Sequence, residues 1–308
     1  METVEGAVSV RSVLGRSGVK AMCAAFGGAL VLAGCTTNTE GSGDEVAKVE
    51  VSEVAEIAAK LPDDIKQAGK LVVGVNIPYQ PNEYKDASGK IVGFDVDLMN
   101  AVTAVLGIDA EYVESAFEKI IPAIQAGTYD VGMSSITDSQ EREKQVDFTT
   151  YFSAGIQWAQ QTGKSIDPDN ACGLRVAVQA TTVEHTDEVP AKSDKCVSEG
   201  KAPITIKAFD EQSAATNALV QGQVDAMSAD SPVTAYAVKQ SGGKIELAGP
   251  VFDSAPYGYA VEKGSSLAVA LQAAVNHLIE NGQYKQITEN WGVQEGAITE
   301  SVINGAVS

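Results

Sequence analysis

Residues 122–135 read PAIQAGTYDVGMSS, and residues 217–230 read NALVQGQVDAMSAD. Each runs as helix, glycine stop and strand, and overlaying them matches Ala123 with Ala218, Gly127 with Gly222 and Asp130 with Asp225. Helix and short apolar strand in alternation predict a mostly parallel sheet covered by helices, so two such series imply two α/β lobes. The strand ends also fall in register, Ser135 against Asp230. Open α/β sheets bind ligands outside the carboxyl ends of their strands, so facing lobes would aim both residues into one cleft. The generic helix-strand spacing of α/β folds can produce the same match, and the pattern alone leaves both explanations open.

The flanking sequence extends both series. LVVGVN (71–76), IVGF (91–94) and AEYVES (110–115) predict strands, with helices over DVDLMNAVTAVLG (95–107) and EKIIPAIQAG (118–127). After GIQWAQQ, the strands are RVAVQA (175–180), ITIKAF (204–209) and DAMSAD (225–230). Between and after them TVEHTDEV (182–189), SAATNALVQG (213–222) and SPVTAYAVKQSG (231–242) read as helices. Two more helices, SSLAVALQAAVNHLIENG and QYKQITENWG, must pack on one of the lobes. A chain of 308 residues, 44% hydrophobic and 20% charged, accommodates two domains.

Charge excludes one class of partner. The net charge is −19 and the pI about 4.4, whereas nucleic-acid binding needs a clustered Lys/Arg face. At the N-terminus Arg11, Arg16 and Lys20 precede AMCAAFGGALVLAGC, an apolar run too short to span a membrane. It ends in Leu32-Ala33-Gly34-Cys35, which resembles the bacterial lipoprotein lipobox; that resemblance implies a signal peptide over 1–34, cleavage before Cys35 and lipid on its thiol. A cleaved signal with an incidental cysteine is the alternative. Removing residues 1–34 takes away three basic and two acidic residues, leaving a net charge of −20. Residues 35–66, polar and acidic with an amphipathic VSEVAEIAAKL stretch, read as a tether with a short helix holding the body off the membrane. Beyond Cys35 only Cys172 and Cys196 remain, and two cysteines in an exported chain suggest one disulfide.

Beyond residue 34 the chain has 17 lysines but only two arginines, Arg142 and Arg175. Arg142 lies in SSITDSQEREKQVDF (134–148), where Thr137 or Asp138 could cap a helix and Asp138 with Glu141 resembles a capping box. A cation in the first turns of a helix opposes the macrodipole. Two explanations stand: an arginine solvated and paired with Asp138 or Glu141, or a fork gripping a ligand carboxylate as lysine cannot.

LVVGVNIPYQP, GKIVGFDVDLMNAV, FEKIIPAIQAGTYD, SSITDSQEREKQVDFT, VDAMSADSP and PYGYAV together resemble the family 3 solute-binding proteins, the polar amino-acid receptors of bacterial ABC importers, over about residues 68–292. The resemblance implies a two-lobed, type II periplasmic-binding-protein clamshell with two hinge strands. Lobe 1 would comprise residues 67–153 and 256–308, and lobe 2 residues 154–255. It makes Arg142 the partner of a ligand α-carboxylate, assisted by Ser134, Ser135, Thr137 and Thr182, with Asp230 receiving the α-ammonium. Asn76, Tyr79 and Phe117 would line the pocket. Ala180 stands where the family often has glycine, which weakens the assignment of Thr182. Asn76 stands where receptors for cationic amino acids usually have Asp, which points toward glutamine, asparagine or glutamate.

The expected protein is an extracytoplasmic, lipid-anchored monomer that delivers a free amino acid to a membrane permease and its ATPase, without metal, cofactor or catalysis. Asp95 and Asp97 in GFDVDL read as a strand end and an acidic helix start. His185 and His277 lie near no recognisable nucleophile motif. Two alternatives remain, a dehydratase-like enzyme on the same clamshell and an amino-acid sensor module. The enzyme would need a general acid in the cleft, and the sequence offers no evident carboxylate there beyond Asp230.

Overall fold

The computed structural model describes residues 47–307; the expected signal segment and Cys35 lie outside them. The first series contains α1 (Ala55–Ala58), α2 (Asp63–Ala68), β1 (Lys70–Val75), β2 (Tyr84–Lys85), β3 (Ile91–Val92) and α3 (Phe94–Leu106). It continues through β4 (Asp109–Glu114), α4 (Phe117–Gln125), β5 (Val131–Gly132) and the single-turn α5 (Gln140–Glu143). Strand β6 (Val146–Gln161) crosses to the second series: β7 (Arg175–Gln179), α6 (Val189–Ser198), β8 (Thr205–Phe209), α7 (Gln212–Val220), β9 (Ala226–Asp230) and α8 (Ser231–Gln240). Strand β10 (Ile245–Glu262) returns, and α9 (Leu267–Glu280) and α10 (Gln283–Trp291) pack on the first lobe.

The main sheet runs β4-β1-β5-β10-β6-β9-β7-β8. Its two central strands are the hinges. β6 and β10 pair antiparallel from Val146↔Glu262 to Gln161↔Ile245, with register shifts between Ala248 and Ala255. There the lobes meet: a Cβ on Gly155 would lie 2.4 Å from Val251 Cγ1, so glycine is what lets the hinge strands approach. Each lobe has its own apolar core. Leu71, Val73, Phe94, Leu98 and Leu271 fill the first, while Trp158, Val176 and Val178 lie on one face of the second lobe's sheet and Leu219 and Met227 on the other.

The internal match is geometric. Asp130 Oδ2 accepts the Val72 amide (2.7 Å) while its own amide donates to Val72 O (2.9 Å). Asp225 makes the same pair of bonds with Arg175, at 2.8 Å each. The two aspartates therefore fasten equivalent strands, β1 to β5 and β7 to β9. Arg175 also grips Asp225 through Nε (3.0 Å) and a terminal nitrogen (2.7 Å), so the second arginine is a structural fork.

Three expectations need correction. From residue 47 onward the supposed tether is bound to lobe 1: the Val54 amide donates to Val105 O (2.9 Å), and Val49, Val51, Val54 and Ile57 pack on its core. Their burial outweighs the acidic residues between them, which face solvent. The helix expected over 182–189 is a π-helical turn, Glu184–Glu188, leading into α6. Pro190 starts that helix rather than stopping it, because an N-terminal position needs no amide hydrogen bond. Third, the strand expected through DVGMSS spans only Val131–Gly132. The disulfide forms as the cysteine count suggests, tying α6 to the loop before β7.

Candidate ligand-binding site

A narrow cavity lies between the lobes, and all nine residues expected at a binding site line it: Asn76, Tyr79, Phe117, Ser134, Ser135, Thr137, Arg142, Thr182 and Asp230. Asn76, Ser134 and Ser135 follow the carboxyl ends of β1 and β5, and Thr182 and Asp230 lie at those of β7 and β9, as the open-sheet rule requires. Gln179, Val183 and Glu184 complete the lining. These three were missed, since a glutamate in the first turn of a predicted helix looks like an ordinary solvent-facing acid.

Arg142 is held by α5, whose cap is Ser139 rather than Thr137 or Asp138; Ser139 Oγ accepts the Arg142 amide (3.3 Å). Asp138 instead accepts the Gly305 amide (2.7 Å), and Glu141 pairs with Lys144. No carboxylate lies within 4.0 Å of the Arg142 guanidinium among the described residues, which removes the solvated-pair explanation. The guanidinium donates to Thr137 O (2.9 Å) and, across the cleft, to Thr181 O (3.2 Å), with its carbon 5.6 Å from the Phe117 ring centroid. Three of its five N–H donors remain for a ligand.

The serines are occupied from behind. Ser134 Oγ accepts the Asn76 amide (3.0 Å) and donates to Glu83 Oε1 (2.7 Å). Ser135 Oγ donates to Asp95 Oδ2 (3.0 Å) and accepts from Asn82 Nδ2 (2.7 Å); its amide also donates to Asp95 (2.9 Å). These bonds hold Ser135 at φ +48°, a left-handed conformation costly for a residue with a Cβ. Asp95 lies in the first turn of α3, as read from the sequence, and faces inward. It is fully buried, hydrogen-bonded by Tyr151 (2.7 Å) and faces Glu83. Burial raises both carboxyls, Glu83 further because Asp95 repels it, and one shared proton relieves the repulsion. Gly93 makes room for this pair: at φ +141° its Cβ would lie 2.0 Å from Asn82 O.

Two more hydrogen bonds cross the cleft, from Gln179 Nε2 to Asn76 Oδ1 (2.7 Å) and from the Tyr79 hydroxyl to Asp230 Oδ2. Asn76 also donates to Ser115 O (2.9 Å). Its amide thus links the lobes, whatever it also does for a ligand. Asp230 is pushed up to about 6 by burial, against the Tyr79 and Tyr257 hydroxyls and the Arg142 charge. Glu184, only 2% exposed, is pushed up to about 8 by burial and then by Asp230, and its Oε1 has no hydrogen-bond partner among the described residues. The cleft holds a carboxylate beyond Asp230, contrary to the sequence expectation.

A two-lobed α/β clamshell with a charged interlobe cavity is the architecture of a solute receptor. The chain belongs to the bacterial extracellular solute-binding proteins, family 3, whose sequence profile matches residues 71–294. It is 44% identical over 276 residues to the arginine-binding protein ArgT of Corynebacterium glutamicum, spanning 89% of this chain and 91% of that protein. Among solved structures it is similar to an ancestral arginine-binding protein bound to arginine, at 35% identity and a TM-score of 0.67, covering 72% of this chain and 98% of that one. An ancestral arginine-binding protein bound to glutamine is similar too, at 36% identity and a TM-score of 0.65, covering 73% and 98%. The protein is an amino-acid-binding component of an ABC importer.

Proposed function

We propose that the protein captures arginine and presents it to the permease of its importer. The observation that carries this is the charge of the cavity: one guanidinium, Arg142, against two carboxylates, Asp230 and Glu184. A ligand with one carboxylate and two cationic groups balances that set, whereas a neutral zwitterion offers Glu184 no counter-charge and leaves it protonated, without an ion pair. The relation to ArgT supports the same ligand. It replaces the expectation of glutamine, asparagine or glutamate. That expectation rested on Asn76 lacking a charge, but Asn76 is engaged with Gln179 and Ser115, and the second negative charge comes from the opposite lobe.

In this scheme Arg142 takes the α-carboxylate with its free donors, Asp230 the α-ammonium, and Phe117 and Tyr79 pack on the aliphatic stem. Ligand contacts to both lobes favour the closed arrangement, which is what a permease can distinguish. Titration calorimetry with arginine, lysine, citrulline and glutamine tests the assignment. Arginine should bind one per chain and tightest; tighter glutamine binding would overturn it. Glu184 also supplies the carboxyl that a dehydratase-like enzyme would need, so incubation with prephenate or arogenate belongs beside the titration, and no product is expected. The lipid anchor is part of the same proposal. Cys35→Ala should release the protein from the membrane into the medium, and an unchanged membrane fraction would refute the anchor.

A further inference from the structure

We infer that Glu184 is the specificity-determining residue of the cleft, the carboxylate that receives the positively charged end of the ligand side chain. The inference rests on the arginine reading above and assigns within it a role that neither Arg142 nor Asp230 can fill. Arg142 and Asp230 are committed to the backbone ends of any α-amino acid and so do not distinguish one side chain from another. Glu184 is the remaining charged group of the lining. Its carboxyl group is buried, and its Oε1 has no hydrogen-bond partner among the described residues. It makes no ion pair with Arg142 within 4.0 Å among the described residues, so it is not spent on the clamp. The neighbouring Thr182 hydroxyl donates to Gln179 O (2.9 Å).

A buried carboxyl in this position discriminates in both directions. A guanidinium or ammonium pairs with the ionised form and repays its desolvation, while a neutral amide leaves it either unpaired or protonated. Asp230, Glu188 and Arg142 are the charged groups that act on Glu184; the two carboxyls favour its protonated form and Arg142 favours ionisation. A cationic side chain must therefore expel a proton from Glu184 when it binds below about pH 8. The affinity ratio of arginine over citrulline, its neutral isostere, should rise from pH 6 to pH 8. Asp230 titrates for both ligands and cancels from the ratio.

Calorimetry of the wild-type protein and Glu184→Gln with arginine and citrulline tests the inference. The arginine-to-citrulline affinity ratio should fall about 100-fold in Glu184→Gln, and its pH dependence should vanish. A ratio and pH profile unchanged by the substitution would overturn the role of Glu184 while leaving arginine as the ligand. A wild-type protein that binds citrulline as tightly as arginine would overturn both. If the variant does not fold, the wild-type profile decides alone: arginine binding at pH 6.5, measured in buffers of different ionisation heat, should release protons in excess of citrulline binding, and equal release refutes the inference.

Discussion

Arg142 shows how a single side chain is prepared for a ligand carboxylate. Its amide is capped by Ser139, two of its donors are anchored on carbonyls of opposite lobes and its flat face lies near Phe117. Arg142→Ala should weaken arginine binding by about 100-fold or more, and Arg142→Lys should restore only part of it because an ammonium lacks the fork. Affinity retained in the alanine variant would remove Arg142 from the site. The residues at the ends of strands were legible because register and family motif agree on them. Glu184 and the Glu83–Asp95 pair were not, since acidity near a helix start carries no mark of burial in sequence. Long-range folding makes those carboxyls interior: Ser134, Ser135 and Tyr151 close over Glu83 and Asp95, and Glu184 lines the cleft between the lobes.

Secondary structure divides along similar lines. Helices α3, α7 and α9 follow from apolar spacing with a defined buried face, and strands β1, β7 and β9 from short apolar runs set between helices. The hinge strands do not. β6 is buried on both faces along almost its whole length and so shows no alternation, while β10 is exposed or half-exposed from Gly249 to Pro256 and buried from Tyr257 to Val261. Neither pattern has the two-residue period that marks a half-buried strand. The disulfide acts on a different element: it links α6 to the loop before β7 across 24 residues of sequence, and closing that loop in the unfolded chain accounts for about 3 kcal/mol. Cys172→Ala with Cys196→Ala should lower the unfolding free energy by about that amount in denaturant titration, with arginine affinity changed less than in Arg142→Ala. An unchanged midpoint would show that the bond does not constrain the unfolded chain.

For the whole molecule, the buried carboxyls couple stability to pH. Unfolded carboxyls titrate near pH 4, but Asp230 is raised to about 6, Glu188 to about 7 and Glu184 to about 8, burial being the largest cause each time. Between about pH 4.5 and 8 the folded protein therefore holds protons that the unfolded chain has lost, and its stability falls as pH rises. Asp147 and Asp225, held below the usual range, complete their titration under that window. The ligand-free unfolding midpoint should drop by about 5 °C or more from pH 5 to pH 8, and the stabilisation by a fixed excess of arginine should grow over the same range. A flat midpoint, or an arginine shift that shrinks with pH, would contradict this. The two lobes were readable from the two α/β series and the family motifs, whereas the charge balance between them exists only once the halves face each other. The C-terminal segment adds a practical consequence. The Gly305 amide is fastened to Asp138 and the Ala306 amide to Glu143 (3.1 Å), on either side of the Arg142 turn, and the next residue, Val307, is 71% exposed. An environment-sensitive dye on a cysteine introduced there would ride on lobe 1 beside the clamp, making position 307 an attachment point for an optical arginine sensor that leaves the cleft unmodified.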